Sequence, residues 1–132
     1  MTLPPGWQST KLSELVTYVQ RGKSPKYCEK SDLPVVNQKC VRWSHVDFTF
    51  VKYVDPSQWT QWSKERFLQN GDILWNSTGT GTIGRAALYQ RANDCQRMVV
   101  DSHVTIVRLG PKCIPEYLHY FIRSPFVQRL IE

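Results

Sequence analysis

Residues 71–85 read Gly-Asp-Ile-Leu-Trp-Asn-Ser-Thr-Gly-Thr-Gly-Thr-Ile-Gly-Arg, the most informative stretch of this chain. The apolar run in Ile73 to Asn76 predicts a buried strand, and glycines and hydroxyl side chains follow it at once. Glycines allow positive φ or a close approach to a partner at little steric cost. Arg85 adds a planar guanidinium that can pair with a phosphate or a guanine. The stretch indicates a strand that opens into a binding loop, but a hairpin needed only for folding fits the same residues.

Short strands, with helices near both ends of the chain, are predicted around this loop. Alternating apolar residues between turn signals predict strands at residues 7–12, 33–37, 47–54, 73–76, 83–89 and 104–109. Residues 99–108 read as one strand entered through the polar step Asp101-Ser102-His103.

Helical signals predict a short helix with Ser13 as its N-cap, a short helix at 62–68, and helices at 115–122 and 126–132. In the third of these, Leu118, Phe121 and Ile122 share one face. Because strands and helices do not alternate regularly, we expect an α+β fold. The expected architecture is a mixed, mainly antiparallel sheet of short strands with a short N-terminal helix and a helical C-terminal exit.

Length and composition restrict the class of protein. The chain has 132 residues, of which 41% are hydrophobic and 21% charged, as expected for one folded domain. No apolar run approaches the roughly 20 residues needed to cross a bilayer, and the N-terminus lacks the pattern of a secretory signal. We therefore expect a cytoplasmic protein that has no membrane partner.

Basic residues are concentrated in one short region. The formal net charge of the chain is +6, and residues 21–42 contain six Lys or Arg but only two acidic residues. Aromatic and amide side chains are interleaved with these cations. Cations that neutralise phosphates, next to polar side chains that reach base edges, are typical of DNA binding, although a solvated basic face remains an alternative.

No arrangement in the sequence indicates catalysis or a metal. The four cysteines, Cys28, Cys40, Cys95 and Cys113, have no ligand spacing, so reduced thiols packed as small apolar groups are expected. The triplet Asp101-Ser102-His103 cannot form a catalytic triad, because neighbours on a strand point to opposite faces.

The glycines of the loop also satisfy a dinucleotide fingerprint. Residues 79–84 match G-x-G-x-x-G formally, with Asp101 at the spacing of a ribose-binding acid. That fingerprint needs a helix to begin at the glycines, whereas residues 83–89 predict a strand. Binding of a nucleotide cofactor through the loop is kept as a minor alternative.

Six segments in order resemble the target recognition domain of the specificity subunit of type I restriction-modification systems. They are residues 3–7 with 11–15, then 21–25, 33–37, 71–85, 101–104 and 115–125. The six segments occur in the same order as in that family. Residues 71–85 and 101–104 are the most specific of them. The resemblance covers nearly the whole chain.

This resemblance implies a non-catalytic protein that reads one half of a split DNA target. In that family, long helices join two such domains and hold two modification subunits, which carry S-adenosylmethionine and methylate adenine, while a restriction subunit docks on that core. The implied partners are double-stranded DNA, the modification subunit and, through it, the restriction subunit. No cofactor or metal is expected in this chain itself.

The resemblance also implies domain limits and DNA contacts. Residues 1–123 would form the recognition domain and 124–132 the start of a spacer helix, as in an excised domain, a half-subunit or a truncated gene product. Base-reading residues are expected where the match to the family is weakest, at 26–30 and 38–45. The expected DNA-binding residues are Lys23, Lys26, Tyr27, Lys39, Arg42, Trp43, Asn76, Ser77, Thr78, Thr80 and Arg85.

A protein-binding role is the main rival interpretation. The last predicted helix begins with the apolar residues Phe126, Val127, Leu130 and Ile131. An exposed apolar helix of this kind would suit a small regulatory module of a restriction complex.

Overall fold

Residues 3–91 and 97–131 are described by the computed structural model, and in this part of the chain eight strands form two four-stranded sheets. Cys95 and the predicted helix end at Glu132 lie outside the described residues. The strands are β1 (Val16–Arg21), β2 (Tyr27–Cys28), β3 (Pro34–Val36), β4 (Lys52–Val54), β5 (Ile73–Asn76), β6 (Ala86–Leu88), β7 (Val99–Val100) and β8 (Val104–Leu109). The α-helices are α1 (Leu12–Leu15), α2 (Pro115–Ile122) and α3 (Pro125–Ile131), and short 3-10 helices cover Phe48–Phe50, Pro56–Gln61 and Lys64–Arg66.

The two sheets confirm the predicted α+β class. The first sheet has the order β1-β8-β5-β6 and is antiparallel throughout. The second has the order β2-β4-β3-β7, in which only the β3–β7 pair is parallel. The expected mixed and mainly antiparallel pairing is therefore present, but it is divided between two sheets.

Neighbouring residues on the central strands point into different cores, as the period of two of a strand requires. Leu74 and Ile106 of the first sheet pack against Val36 and Val100 of the second, which forms the core between the sheets. On the other face of the first sheet, Ile73 and Val107 are among the residues that pack against α2. On the other face of the second sheet, Val35, Val54 and Val99 pack with Leu33 and Trp62. Because β3 and β5 are buried on both faces, residues 34–36 and 73–75 read as continuous apolar runs.

The N-terminal prediction was wrong in detail. Residues 7–12 do not form a strand, and α1 begins after Lys11 instead of after Ser13. The strand lies further on, in β1, whose residues are mostly exposed and pair with β8. Residues 16–21 have only a weak strand pattern in the sequence, and they are extended because β8 supplies their hydrogen-bonding partners.

Three other segments are shorter or different in type. In 47–54 the first half is a 3-10 helix and only β4 is extended, because the Asp47 side chain accepts a hydrogen bond from Thr49 N and caps the turn. In 62–68 only Lys64–Arg66 is helical, as a single 3-10 turn. In 83–89 the strand is limited to β6, because the residues before it belong to the glycine loop.

The predicted strand at 99–108 is two strands in different sheets. The chain turns at Asp101-Ser102-His103 and passes from β7 in the second sheet to β8 in the first. The Asp101 carboxylate accepts a hydrogen bond from His103 N at 2.9 Å, which closes the turn. The polar step that the sequence placed at the start of one strand is therefore the crossover between the two sheets.

The helical exit is confirmed, with one correction. Leu118 and Ile122 of α2 are buried against the first sheet, but Phe121 is 48% exposed and His119 takes the buried place beside them. The 100° rotation per residue puts His119 one position after Leu118 and still within the covered face. Among the described helices, none has the length and apolar character needed to cross a membrane.

Candidate nucleic-acid interface

The turn at Asp101-Ser102-His103 contacts the basic loop that follows β1. Gly22 N donates to Val104 O at 2.9 Å, and the Arg21 guanidinium Nε donates to Ser102 O at 2.5 Å. The hydroxyls of Ser24 and Ser102 lie 2.8 Å apart. The start of the basic loop is thus held directly on the turn.

Gly22 is needed at this contact because the two backbones approach too closely for any side chain. A Cβ atom built on Gly22 would lie 2.2 Å from Asp101 O and 2.3 Å from Val100 O. Both contacts are with backbone atoms, which cannot move aside without shifting β7. The glycine of the basic loop therefore serves packing against the crossover.

The glycine loop contacts the same turn from the other side. Ser77 N donates to His103 O at 3.0 Å, and Thr78 Oγ1 lies 2.6 Å from His103 Nδ1. Thr105 Oγ1 donates to Ser77 Oγ at 3.1 Å. Hydroxyl side chains of the loop and of β8 therefore form a continuous polar surface beside His103.

The segment after β3 completes this surface through a buried amide. Asn76 Nδ2 donates to Gln38 O and to Thr82 O, both at 3.1 Å, and its side chain is only 1% exposed. A Cβ on Gly79 would also lie within 3.5 Å of the Gln38 side chain. Asn37 Oδ1 accepts a hydrogen bond from Lys39 N, which fixes the start of this segment.

The structure distributes the expected DNA-binding residues over three levels of exposure. Asn76 is buried and holds the glycine loop from within, so its side chain does not reach the surface. Lys23, Arg42, Thr78 and Arg85 are half-buried, and Lys26, Tyr27, Lys39, Trp43, Ser77 and Thr80 are exposed. Among these expected residues, Ser77 is exposed and is hydrogen-bonded directly to the central turn.

Several of the expected cations have partners inside the protein. Lys23 Nζ donates to Gln61 O at 2.5 Å and lies 4.7 Å from the centre of the Trp62 ring. The Arg42 guanidinium stacks 5.0 Å from the Phe50 ring centre. Such contacts restrict where these cations can meet a phosphate.

Tyr27 and Asp101 are linked by proximity. Burial raises the pKa of the Tyr27 phenol, and the negative charge of Asp101 raises it further, while a hydrogen bond with Ser24 lowers it. Burial likewise raises the pKa of the Asp101 carboxyl, against the hydrogen bond from His103 N. Asp101 is 4% exposed, so it supports the turn from inside and presents no negative charge at the surface.

Four residues at this surface were missing from the expected contacts. Arg21, Ser24, Ser102 and His103 all take part in the hydrogen bonds around the turn. Arg21 and Ser24 belong to the basic loop, and Ser102 and His103 belong to the polar step, so both signals were visible in the sequence. What the sequence did not show is that the two segments touch.

The glycine loop is folded by its own hydrogen bonds. Thr82 N and Ile83 N donate to Gly79 O at 3.2 and 3.1 Å, and Gly84 N donates to Asn76 O at 2.9 Å. The chain then continues directly into β6. Because these amides are used within the loop and a strand follows it, the loop lacks the helix N-terminus that a dinucleotide fingerprint requires.

The cysteines behave as packing groups in the described part of the chain. Cys40 is fully buried, and burial raises the pKa of its thiol to about 11, so the thiol stays protonated at neutral pH. Cys28 and Cys113 are half-buried free thiols. In residues 3–91 and 97–131, no three His, Cys, Asp or Glu side chains are grouped so that they could hold a metal ion.

Comparisons with known proteins give a shared fold. No protein-family model matches the chain, and no curated protein matches it in sequence. Two of the solved structures that match it have TM-scores of 0.73 and 0.70. One comes from work on complex assembly and conformational transition of the type I R-M system; it is 17% identical, and the match covers 100% of this chain and 30% of that chain.

The other is the HsdS subunit from Thermoanaerobacter tengcongensis, 15% identical over 99% of this chain and 30% of that subunit. The present chain thus spans about a third of the length of either neighbour. The resemblance that the sequence suggested is confirmed at the level of the fold, which this chain shares with a portion of an HsdS subunit.

Proposed function

We propose that this chain binds double-stranded DNA in a sequence-specific manner, as the reader of one half of a bipartite target in a type I restriction-modification complex. The observation that carries this proposal is a chain of contacts that joins three polar segments. The basic loop after β1 and the glycine loop after β5 contact Asp101-Ser102-His103, and the segment after β3 contacts the glycine loop, where Gln38 O accepts a hydrogen bond from Asn76. They bring cations, hydroxyls and amides to one surface.

The chemistry of that surface suits DNA. Arg21 and Lys39 are exposed cations that can neutralise phosphates, and Ser77 and Thr80 offer short donors and acceptors. The net charge of +6 favours approach to a polyanion. Phosphate contacts would position the chain, and the polar side chains of 38–45 would meet base edges.

The likeness in fold to an HsdS subunit supports the type I role. In this proposal the chain has no catalytic activity of its own. A modification subunit that carries S-adenosylmethionine would methylate the target, and a restriction subunit would associate through it, in the cytoplasm. One half-site makes a small interface, so DNA binding by this chain alone would be weak and strongly dependent on salt.

Fluorescence anisotropy with labelled duplex DNA tests the proposal. The chain is titrated over a salt series from about 50 to 200 mM, with and without a modification subunit. We expect binding that weakens steeply with salt and tightens when the subunit is added. Binding to neither a mixed-sequence duplex nor a library-selected duplex, under either condition, would contradict the proposal.

A protein-interaction role is the second candidate, and one feature favours it. Tyr117 and Tyr120 of α2 are 58% and 74% exposed, and Phe126 and Leu130 of α3 are 59% and 73% exposed. These exposed aromatic and apolar side chains lie on the two C-terminal helices, α2 and α3. Absence of DNA binding together with association with a modification subunit would favour this role.

A further inference from the structure

His103 stands at the centre of the surface around the crossover turn, and its backbone is held on both sides. Its N donates to Asp101 Oδ1 at 2.9 Å. Its carbonyl oxygen accepts hydrogen bonds from Ser77 N at 3.0 Å and Ser77 Oγ at 3.3 Å. A residue fixed in this way presents its side chain in one place, which is what a specific contact needs.

The imidazole ring is fixed by a third contact. Thr78 Oγ1 lies 2.6 Å from Nδ1, and in the described part of the chain this is the hydrogen bond that the ring makes. When the Thr78 hydroxyl donates to Nδ1, a neutral imidazole carries its proton on Nε2. The half-buried ring then offers an N–H donor at its outer end.

The groups around His103 fit a polyanion with acceptor atoms. Arg21 is exposed and is anchored on the neighbouring Ser102 carbonyl. Ser77, which is bonded to the His103 carbonyl, forms a hydroxyl pair with Thr105 at 3.1 Å. The nearest carboxylate, Asp101, is buried and engaged with the backbone.

We propose that His103 is a DNA-contacting residue, which donates a hydrogen bond from Nε2 to an acceptor atom on the duplex, with Thr78 as the positioning residue that sets the ring. This inference rests on the proposed function. The acceptor is a phosphate oxygen or a base-edge atom, since both accept an N–H donor in the same way.

Two substitutions separate a contact with DNA from a structural role. In His103→Gln the side-chain amide reaches the place of Nε2, whereas in His103→Asn it reaches only the place of Nδ1. We expect His103→Asn and His103→Ala to weaken binding to a labelled duplex about tenfold, as for the loss of one hydrogen bond to a charged group. His103→Gln should bind within about threefold of the unsubstituted chain.

The opposite order of the two variants would overturn the inference. If His103→Asn binds DNA as well as the unsubstituted chain does and His103→Gln binds more weakly, then the contact with Thr78 is what matters and His103 does not contact DNA. Equal binding by all variants would also overturn it. Thermal unfolding of each variant shows whether it is folded, and the Asn and Gln pair decides the question if the Ala variant is not. Failure of the unsubstituted chain to bind DNA would instead contradict the proposed function.

Selection from a randomised duplex library distinguishes the two sources of the acceptor. A base contact predicts that His103→Asn relaxes the preference at one position of the selected site. A phosphate contact predicts the same selected site with uniformly weaker binding.

Discussion

The side chains of Asp72 and Arg108 form a two-point ion pair across the end of the first sheet. Arg108 Nε donates to Asp72 Oδ1 at 2.8 Å, and Nη2 donates to Oδ2 at 2.9 Å. The same guanidinium donates to Glu65 O and Phe67 O. Asp72 also accepts a hydrogen bond from Gln69 N. This pair joins β8, the turn before β5 and the chain before that turn.

Asp72→Asn should destabilise the fold by about 3 kcal/mol, because it removes the counter-charge of the largely buried Arg108. The Asp72 side chain is 1% exposed and that of Arg108 13% exposed, so water can replace the lost carboxylate only in part. Urea unfolding measures the change. The matched control is Arg129→Lys on the exposed side of α3, which should stay within about 0.5 kcal/mol of the unsubstituted chain. Equal stability of the two variants would contradict the prediction.

Gly22→Ala should cost at least about 2 kcal/mol, because the added methyl group meets the backbone of β7 and the crossover turn. Gly81→Ala is the control, since Gly81 has φ of 76° but nothing within 4 Å of the added Cβ. It should lose only the roughly 1–2 kcal/mol of a left-handed conformation. Chemical unfolding measures the loss of stability in both variants. If the crossover contact is as close as the structure shows, the loss is larger for Gly22→Ala than for Gly81→Ala.

Lys39→Ala should weaken DNA binding to all sequences about equally and reduce the magnitude of the salt slope by about 1, as for one phosphate contact. Lys39 is exposed, and the neighbouring Gln38 O accepts a hydrogen bond from Asn76 of the glycine loop. Lys112→Ala is the matched control, because Lys112 is exposed beyond the opposite end of β8. An unchanged slope for Lys39→Ala, measured by anisotropy, would remove this residue from the interface.

Asn76→Ala should lower stability by about 1–3 kcal/mol, since Gln38 O and Thr82 O both lose their donor in a buried place. Thr80→Ala, on the exposed part of the same loop, should leave stability unchanged and affect only DNA binding. Thermal unfolding and anisotropy on the same two proteins test this division. A loss of affinity for Asn76→Ala at full stability would show that Asn76 contacts DNA after all.

Stability should fall as the pH is lowered through about 6.5, because burial lowers the pKa of the His119 imidazole in the folded chain. The unfolded chain therefore binds the proton more readily than the folded chain does. The contribution of the neutral His119 to stability is complete at pH values above the unfolded pKa, and it is lost as the pH falls from there towards the lower folded pKa. His119 Nε2 lies 2.8 Å from Ala86 O. His119→Gln keeps a donor there and should flatten the pH profile, whereas His45→Gln, at an exposed position, should not.

Elements with a strong local pattern were predicted correctly. β5 and β8 have apolar residues on both faces, and α2 starts at a proline with Leu118 and Ile122 one turn apart. β1 was missed because most of its side chains are exposed, so its extended form depends on hydrogen bonds to β8. The split of 99–108 was missed for a related reason, since both halves are apolar and only their pairing partners differ.

For the candidate site, the sequence showed which types of residue are present, but it did not show which of their side chains are exposed. The sequence singled out the glycine loop, the basic loop and the polar step as separate features. Asn76 was expected at the DNA surface, yet its two backbone partners come from residues 38 and 82 and hold it inside. Such a choice between surface and interior depends on neighbours distant along the chain.

Composition and local periodicity by themselves determined the α+β class, the strand before the glycine loop, the helical exit and the concentration of basic residues at 21–42. These depend on turn residues, apolar spacing and charge, which act over a few residues. Only the tertiary structure decided that two sheets form and that the chain crosses between them at Asp101-Ser102-His103, where the polar segments meet. The physical reason is that backbone pairing and burial are satisfied between segments that are distant along the chain. At Gly22, for example, the crossover backbone lies too close for any side chain to fit.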